Sequence, residues 1–328
     1  MGITDKRGAA LLTVLWLSAA LSAIAFSVAT TVRGETERVS SLADGTRAYY
    51  LAAGAVERAM LYVYWGPGRR NPDSSPRYFG PGMSVIPMQF PTGQAFVEVI
   101  PESAKLSINT AAFPELARLF AATGMEPERA GAVAQAVMDW RRPMPPGQFG
   151  LFDQAYLART PSFRARHASF EEIEELLLVE GMTPDLFYGA WRRGLDGRLM
   201  PLGGLKDCLS VYGVQGQLDI NAVHPLVLIS LGVSPETAAA LVERRQRMPF
   251  RTIAEVGPLG LPGNVMARLR VGGLTIFTLR ATASIRLPDG RMSDIRRSVA
   301  ATVKYNFDDQ NAVRPFEVLR WYDNAGNR

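Results

Sequence analysis

Lys6-Arg7-Gly8 is followed by AALLTVLWLSAALSAIAFSVATTV, residues 9–32, a stretch of 24 positions without a charge. As a helix rising about 1.5 Å per residue it reaches roughly 36 Å, enough to cross a hydrocarbon core of about 30 Å with some tilt. A cleaved secretory signal has a shorter apolar core, about 7 to 15 residues, so a membrane-spanning helix is the better reading. Lys6 and Arg7 precede the span, and Arg33, Arg38 and Arg47 follow it. Counted alone these cations do not fix the orientation, but their density favours a short N-terminal tail on the cytoplasmic side.

The helical pattern continues past Val32. Val39, Leu42, Thr46, Tyr49, Ala53, Val56, Met60 and Val63 recur at steps of three and four, one apolar stripe on one helix face. Gly66-Pro67-Gly68 breaks it by removing helix propensity and a backbone donor. The sequence therefore describes one long helix, apolar all round over residues 9–32 and amphipathic over 33–66.

Residues 69–82, rich in Pro, Gly, Ser and Arg, read as a loop. Met83 to Phe90 and Ala95 to Ile100 read as two strands of a hairpin joined through Pro91-Thr92-Gly93-Gln94. Far downstream, Phe277, Leu279, Ala281, Ala283 and Ile285 alternate with polar residues. Pro288-Asp289-Gly290 turns the chain, and Val299, Ala301, Val303 and Tyr305 alternate on the way back. Strands thus lie on both sides of something else.

That intervening segment is helical and internally repeated. Leu106-Ser107-Ile108-Asn109-Thr110-Ala111 opens one unit and Leu218-Asp219-Ile220-Asn221-Ala222-Val223 another. Each continues with an apolar helix, a glycine (Gly124, Gly232), a proline (Pro127, Pro235) and a second helix ending near Trp140 or Arg245. Each resumes at Phe170-Glu171-Glu172-Ile173 or Phe250-Arg251-Thr252-Ile253, the first after a Pro-rich excursion from about Arg141 to Ala168. The asparagines read as helix N-caps and the glycines as left-handed C-caps.

Composition excludes several classes. Charged residues make up 20% and hydrophobic ones 47% of the 328, so the chain is neither a disordered polyelectrolyte nor a many-span transporter. One cysteine, Cys208, rules out an intramolecular disulfide and a cysteine-built zinc site; His167 and His224 are the two histidines. Neither histidine has a nucleophile motif around it, so no enzyme is expected; His167 reads as exposed, His224 as packing and Cys208 as a buried thiol. A net charge of +5 makes no basic stripe. Acids flank Gly124-Met125 and Gly181-Met182, and Pro258 and Pro262 remove donors from Gly257–Gly263, so phosphate binding at these hairpins is not expected.

The basic-basic-Gly leader, the uncharged helix and its amphipathic continuation resemble type IV pilins and type II secretion pseudopilins. The resemblance implies cleavage by a prepilin peptidase after Gly8, leaving Ala9 first, with the net charge falling to about +4 since Asp5, Lys6 and Arg7 are lost. Two departures stand out. Most members begin with Phe or Met and carry Glu at mature position five, where this chain has Ala9 and Thr13. In a fibre that carboxylate is thought to pair with the terminal amine of the subunit above, because an unpaired charge in a bilayer is costly. A threonine there fits a subunit with none above it.

Ser-Ile-Asn-Thr-Ala, then Met138-Asp139-Trp140, then Phe-Glu-Glu-Ile-Glu-Glu-Leu with Gly181-Met182-Thr183-Pro184, is similar to the all-helical insert of the type II secretion protein K family. That resemblance implies a tip minor pseudopilin nucleating a pseudopilus for export across the outer membrane. Its partners would be minor pseudopilins I, J and H, the prepilin peptidase and the inner-membrane assembly platform, with no nucleic acid. The body would lie in the periplasm on a single inner-membrane span. Family members often bind calcium through an acidic run after the Asp-Trp. Here that run is largely absent, so no cofactor is expected, and Asp139 and Asp153 alone remain as metal candidates, read otherwise as a helix-end cap and a solvated loop acid.

The expected fold is α+β, a pilin-like long helix on a small antiparallel sheet with a large all-α domain of helix-hairpin-helix or SAM-like type inserted between strands. Its segments are a leader (1–8), transmembrane helix (9–32), amphipathic continuation (33–66), first sheet part (67–105), first repeat (106–216), second repeat (217–272), last strands (273–307) and a C-terminal tail (308–328). The partner-helix interface is expected at Thr13, Val39, Leu42, Tyr49, Val56 and Met60. Two other readings compete: a membrane-anchored helix-hairpin-helix protein that binds DNA, and a plain anchored periplasmic adaptor.

Overall fold

The computed structural model describes residues 6–80, 82–145, 147–193, 199–213, 216–307 and 314–325. One helix, α1 (Lys6–Trp65), runs unbroken through the uncharged stretch and its continuation, and ends where Gly66–Gly68 tightens into a 3₁₀ turn. Its upper half lies on a five-stranded antiparallel sheet whose spatial order is β1 (Val85–Phe90), β2 (Gly93–Pro101), β3 (Ile276–Arg286), β4 (Met292–Tyr305) and β5 (Phe316–Tyr322).

Alanines decide how helix and sheet meet. Ala48, Ala52, Ala55 and Ala59 are fully buried, with Val56, Met60 and Val63 beside them, and they face Val97, Leu279, Ala281, Val299 and Val303. The expected stripe shares Val56, Met60 and Val63 with this face, but lower down the buried line shifts by one residue, to Gly45, Ala48 and Ala52. Small side chains let the backbones approach, so the contact follows Gly45, Ala48 and Ala52 rather than the line through the larger Thr46 and Tyr49. On the sheet's other face a polar ladder replaces the core: Thr278 with Thr302, Thr282 with Ser298, and Arg280 with Glu98.

The helical domain enters between two strands that are themselves neighbours. Pro101, where β2 ends, is the register partner of Phe277 at the start of β3. The chain therefore leaves and returns at one place, and the sheet closes as if the domain were a hairpin loop. That place lies at the end of the sheet near Met60 and Tyr305, away from the uncharged half of α1. The domain has its own core, from Leu106 to Leu269, separate from that under α1. It is tied to the sheet by Ser103 accepting from Thr275, by Glu102 with Thr278, and by Glu172 with Arg320.

The repeat is structural as well as sequential. Helices α2 (Phe113–Ala122) and α3 (Pro127–Arg141) form one hairpin; α4 (Pro225–Ser230) and α5 (Pro235–Arg247) form the other. Gly124 and Gly232 take φ of +92° and +103°, the left-handed cap expected of them. The asparagines, however, do not cap. Asn109 donates to the Phe170 carbonyl (3.0 Å) and accepts from its amide (2.7 Å). Asn221 repeats this with Phe250 at 2.9 and 2.8 Å. Each second helix then sends an arginine back to the first turn: Arg141 to the carbonyls of Ile108 and Ala111, and Arg245 to those of Ile220 and Val223.

Two expectations are corrected. The C-terminal tail is partly a strand, since residues 316–322 pair with β4; a bulge at Thr302/Val303 skips Leu319 and breaks the alternation that would have betrayed it. A two-stranded hairpin, Gly189–Arg193 with Leu199–Gly203, lies within the first repeat and was not anticipated. The start of the tail, residues 308–313, falls outside the described residues, as does most of the leader.

Replacing Asn221 by Ala leaves the Phe250 amide and carbonyl without partners beside a buried ring. We expect a loss of about 1–3 kcal/mol, seen as a lower midpoint in chemical denaturation of the detergent-extracted protein. Asn221→Asp, which keeps the acceptor but loses the donor, should fall between.

Candidate functional site

The expected partner stripe divides where α1 leaves the sheet. Val39 and Leu42 are each 62% exposed, whereas Val56 and Met60 are fully buried under the chain's own strands and present no open face. Tyr49 sits at the boundary, half-buried, its hydroxyl donating to the Asp323 carboxylate at 2.6 Å; the Trp321 indole donates to the same oxygen at 3.0 Å. That bond, with burial, raises the Tyr49 pKa. Beside it a groove of ≈ 570 Å³ is lined by Leu42, Gly45, Thr46, Tyr50, Arg297 and Asn324 among others. The open apolar surface of the stripe is thus its lower part, continued by Tyr50, 68% exposed.

Below Arg33 the helix is exposed on all sides, and α1 is the helix long and apolar enough to cross a membrane among the described residues. Its hydroxyls bond backward within it: Ser18 to the Val14 carbonyl, Ser22 to Ser18 and Thr31 to Ser27. A span in lipid needs this, because no water is there to satisfy them. Thr13 lies in this segment, on an exposed position, and brings no charge to it. Gly8 and Ala9 are already helical in the backbone.

The metal candidates are committed elsewhere. Asp139 accepts from the amides of Leu151 (3.1 Å) and Phe152 (3.3 Å), so it holds the excursion after α3 rather than the end of α3 itself. The Asp153 side chain is 2% exposed, not a solvated loop acid, and accepts from the Gly150 amide. His167, read as exposed, lies between them: Nε2 is 3.0 Å from Asp153 Oδ2 and Nδ1 is 3.2 Å from the Asp139 carbonyl. Both ring nitrogens face acceptors, an arrangement that only the doubly protonated imidazolium satisfies. Burial by itself would lower the His167 pKa, but the Asp153 carboxylate and the Asp139 carbonyl outweigh it, and the value is raised. Burial likewise pushes Asp153 up, and His167 with the Gly150 amide more than reverses this, holding the carboxyl below its usual range.

The other histidine behaves oppositely. His224 Nδ1 accepts from the Leu226 amide at 3.2 Å, capping α4, and lies 3.2 Å from the Cys208 sulfur, a neighbour invisible from the sequence spacing. Burial lowers the His224 pKa and pushes the Cys208 thiol up to about 12. A thiol so held is not a nucleophile at neutral pH. The acids after Phe170 cap as expected of a first turn, Glu175 accepting from the amides of Glu171 and Glu172, although the turn is 3₁₀ (Ile173–Leu178).

Comparison with known proteins gives three matches that point the same way. Residues 97–189, from within β2 to partway through the first repeat, match the family model described as type II secretion system (T2SS), protein K. Type II secretion system protein K of Pseudomonas aeruginosa (strain PAO1) is 26% identical over 138 residues, 41% of this chain; the match spans 37% of that relative's length. A chain in the crystal structure of the GspK-GspI-GspJ complex from the enterotoxigenic Escherichia coli type 2 secretion system shares the fold. It matches with a TM-score of 0.54 at 18% identity, over 89% of this chain and 98% of that one.

The His167 pair carries a signed pH dependence. A raised histidine pKa gives stability that is complete below the unfolded value of about 6.5 and is lost as pH rises through the folded value. We expect the wild-type denaturation midpoint to fall on going from about pH 6 to pH 8, and His167→Gln to lack that fall. An identical slope in both proteins would show that the imidazolium is not formed.

Family model, curated relative and solved fold thus agree with the resemblance read in the sequence, and the chain is recognised by them as like type II secretion system protein K.

Proposed function

We propose that this chain is a minor pseudopilin, placed at the tip of the type II secretion pseudopilus, that nucleates its assembly for export of proteins across the outer membrane. The observation that carries the reading is the position of the helical domain. It emerges from the end of the sheet at Pro101 and Phe277, opposite the uncharged half of α1, on a fold shared with the GspK-GspI-GspJ structure. A subunit with that bulk over its distal end leaves little room for another above it, and Thr13 supplies no carboxylate for one to pair with.

On this reading residues 9–32 anchor the chain in the inner membrane, with the body in the periplasm. Prepilin peptidase removes residues 1–8, and pseudopilins I and J dock along the lower part of α1, where Val39, Leu42 and Tyr50 are open. Pseudopilin H and the assembly platform follow beneath. The helical domain then serves as a cap, its residues engaged in holding the two repeats together.

The test is the N-terminus of the membrane-extracted protein, read by intact mass in cells with and without a prepilin peptidase. A start at Ala9 only when the peptidase is present is expected; an uncut chain in both would remove the pseudopilin reading. In the same cells Leu42→Lys should reduce co-purification of I and J by about tenfold or more, as a charge forced into an apolar helix contact does. Leu42 is outside the core, so its folding should be unchanged.

A further inference from the structure

Two contacts set a scale along α1. Gly45 lies against Arg297 of β4, where a Cβ would come within 2.9 Å of the guanidinium, and Tyr305 donates to the Met60 carbonyl at 3.3 Å. Between them the helix climbs about 22 Å at 1.5 Å per residue. Over the same interval β4 climbs about 26 Å at 3.3 Å per residue. Helix and strand therefore run nearly side by side.

Followed the other way, β3 and β4 continue past Arg297 toward the uncharged half of α1. They are closed by a turn in which Leu287 donates to the Arg291 carbonyl (2.8 Å) and Gly290, at φ +84°, donates to that of Leu287. From Ala283, the register partner of Arg297, to Pro288 the strand descends about 16 Å. From Gly45 down to Arg33, the first charge after the uncharged stretch, the helix descends about 18 Å. The neighbouring turn, Pro91–Thr92, stops higher, since the Thr92 carbonyl accepts from the Arg286 amide. The β3–β4 turn thus comes level with the end of the uncharged stretch, to within the length of an arginine side chain.

That turn is cationic. Residues 286–297 hold Arg286, Arg291, Arg296 and Arg297 against Asp289 and Asp294. Arg291 pairs with Asp289 at 2.7 Å; among the described residues neither Arg286 nor Arg296 is paired with a carboxylate, and both are exposed. Guanidinium groups suit phosphate oxygens because they can offer two parallel N–H donors. We propose that, while α1 anchors the chain, the β3–β4 hairpin rests on the bilayer and its arginines bind the phosphates of anionic phospholipids. This second foothold fixes the tilt of the body above the membrane before the subunit is lifted out. The proposal rests on reading residues 9–32 as the membrane span.

The test uses the full chain in nanodiscs of phosphatidylcholine, with or without phosphatidylglycerol. A fluorophore is placed at Pro288→Cys, or at Val32→Cys as the depth reference, and the quencher is headgroup-spin-labelled lipid. Cys208 is buried and should remain unlabelled. The Pro288 probe should be quenched in anionic discs and less so in zwitterionic ones, with the contact weakened about fivefold for each arginine changed in Arg286→Gln and Arg296→Gln. Quenching at Val32 without quenching at Pro288 would overturn the hairpin contact while leaving the span intact. Quenching at Pro288 that ignores both lipid charge and the Gln variants would overturn the phosphate recognition. Absence of quenching at both positions would remove the span, and the proposal with it.

Discussion

The structure depends on one contact, the alanine face of α1 against the sheet. The same helix must be apolar all round below Val32 and apolar on one side only above it, without a break in the backbone between. Large side chains on the sheet-facing line would hold helix and strands apart, whereas Ala48, Ala52, Ala55 and Ala59 let the strands approach and leave Val56, Met60 and Val63 to interdigitate at the edges. Everything else is hung from this pairing. The groove below Tyr49 opens where it ends, and the insertion point lies at the end it fixes near Met60.

The insertion itself costs the sheet little, because Pro101 and Phe277 are partners across adjacent strands. A long loop closed between points already adjacent pays mainly a loop-closure entropy that grows only with the logarithm of length. The inserted domain offsets that by folding around its own core. Inside it, the two repeats use one device twice. An asparagine holds the backbone of a buried phenylalanine, 61 residues on in one unit and 29 in the other, while an arginine from the second helix satisfies carbonyls of the first turn. The 32 extra residues of the first unit fall between the helix and the phenylalanine, so the latch survives them. Asp139, Asp153 and His167 then pin the excursion down, a polar strut within an otherwise apolar domain.

Periodicity carried much of this into the sequence. The uncharged stretch, its amphipathic continuation, the Gly66-Pro67-Gly68 stop, the alternating strands around residues 277–305 and the repeated Asn-to-Phe frame are all local patterns, and the structure builds an element at each. What was not legible depends on partners distant in sequence. Asn109 looks like a helix cap until Phe170 is beside it, and His167 looks like surface until Asp153 closes over it. The strand at Phe316–Tyr322 was hidden by a bulge that shifts its alternation by one residue. The stripe on α1 follows from steps of three and four, which fit a neighbouring line of the same helix almost as well, and the line through Gly45, Ala48 and Ala52 is chosen by the sheet that packs on it.

Two features that share no residue bear on the place of this chain in an assembly. One is chemical: a threonine at position 13, in a segment where a carboxylate would need a cationic partner from a neighbouring subunit to be tolerated in lipid. The other is steric: a domain of two helical hairpins standing over the far end of the sheet. A subunit in the middle of a fibre needs neighbours both above and below. On the proposed reading, bulk at the distal end would obstruct a neighbour above and Thr13 would offer it no charge to pair with, so each feature would be a defect in a central subunit and neither would be one at the end. The lower part of α1, with Val39, Leu42 and Tyr50 exposed, keeps the surface that faces downward and sideways. The polarity of the molecule, an uncharged and open helix at one end and a closed domain at the other, is what the proposed place of a subunit built upon from below requires.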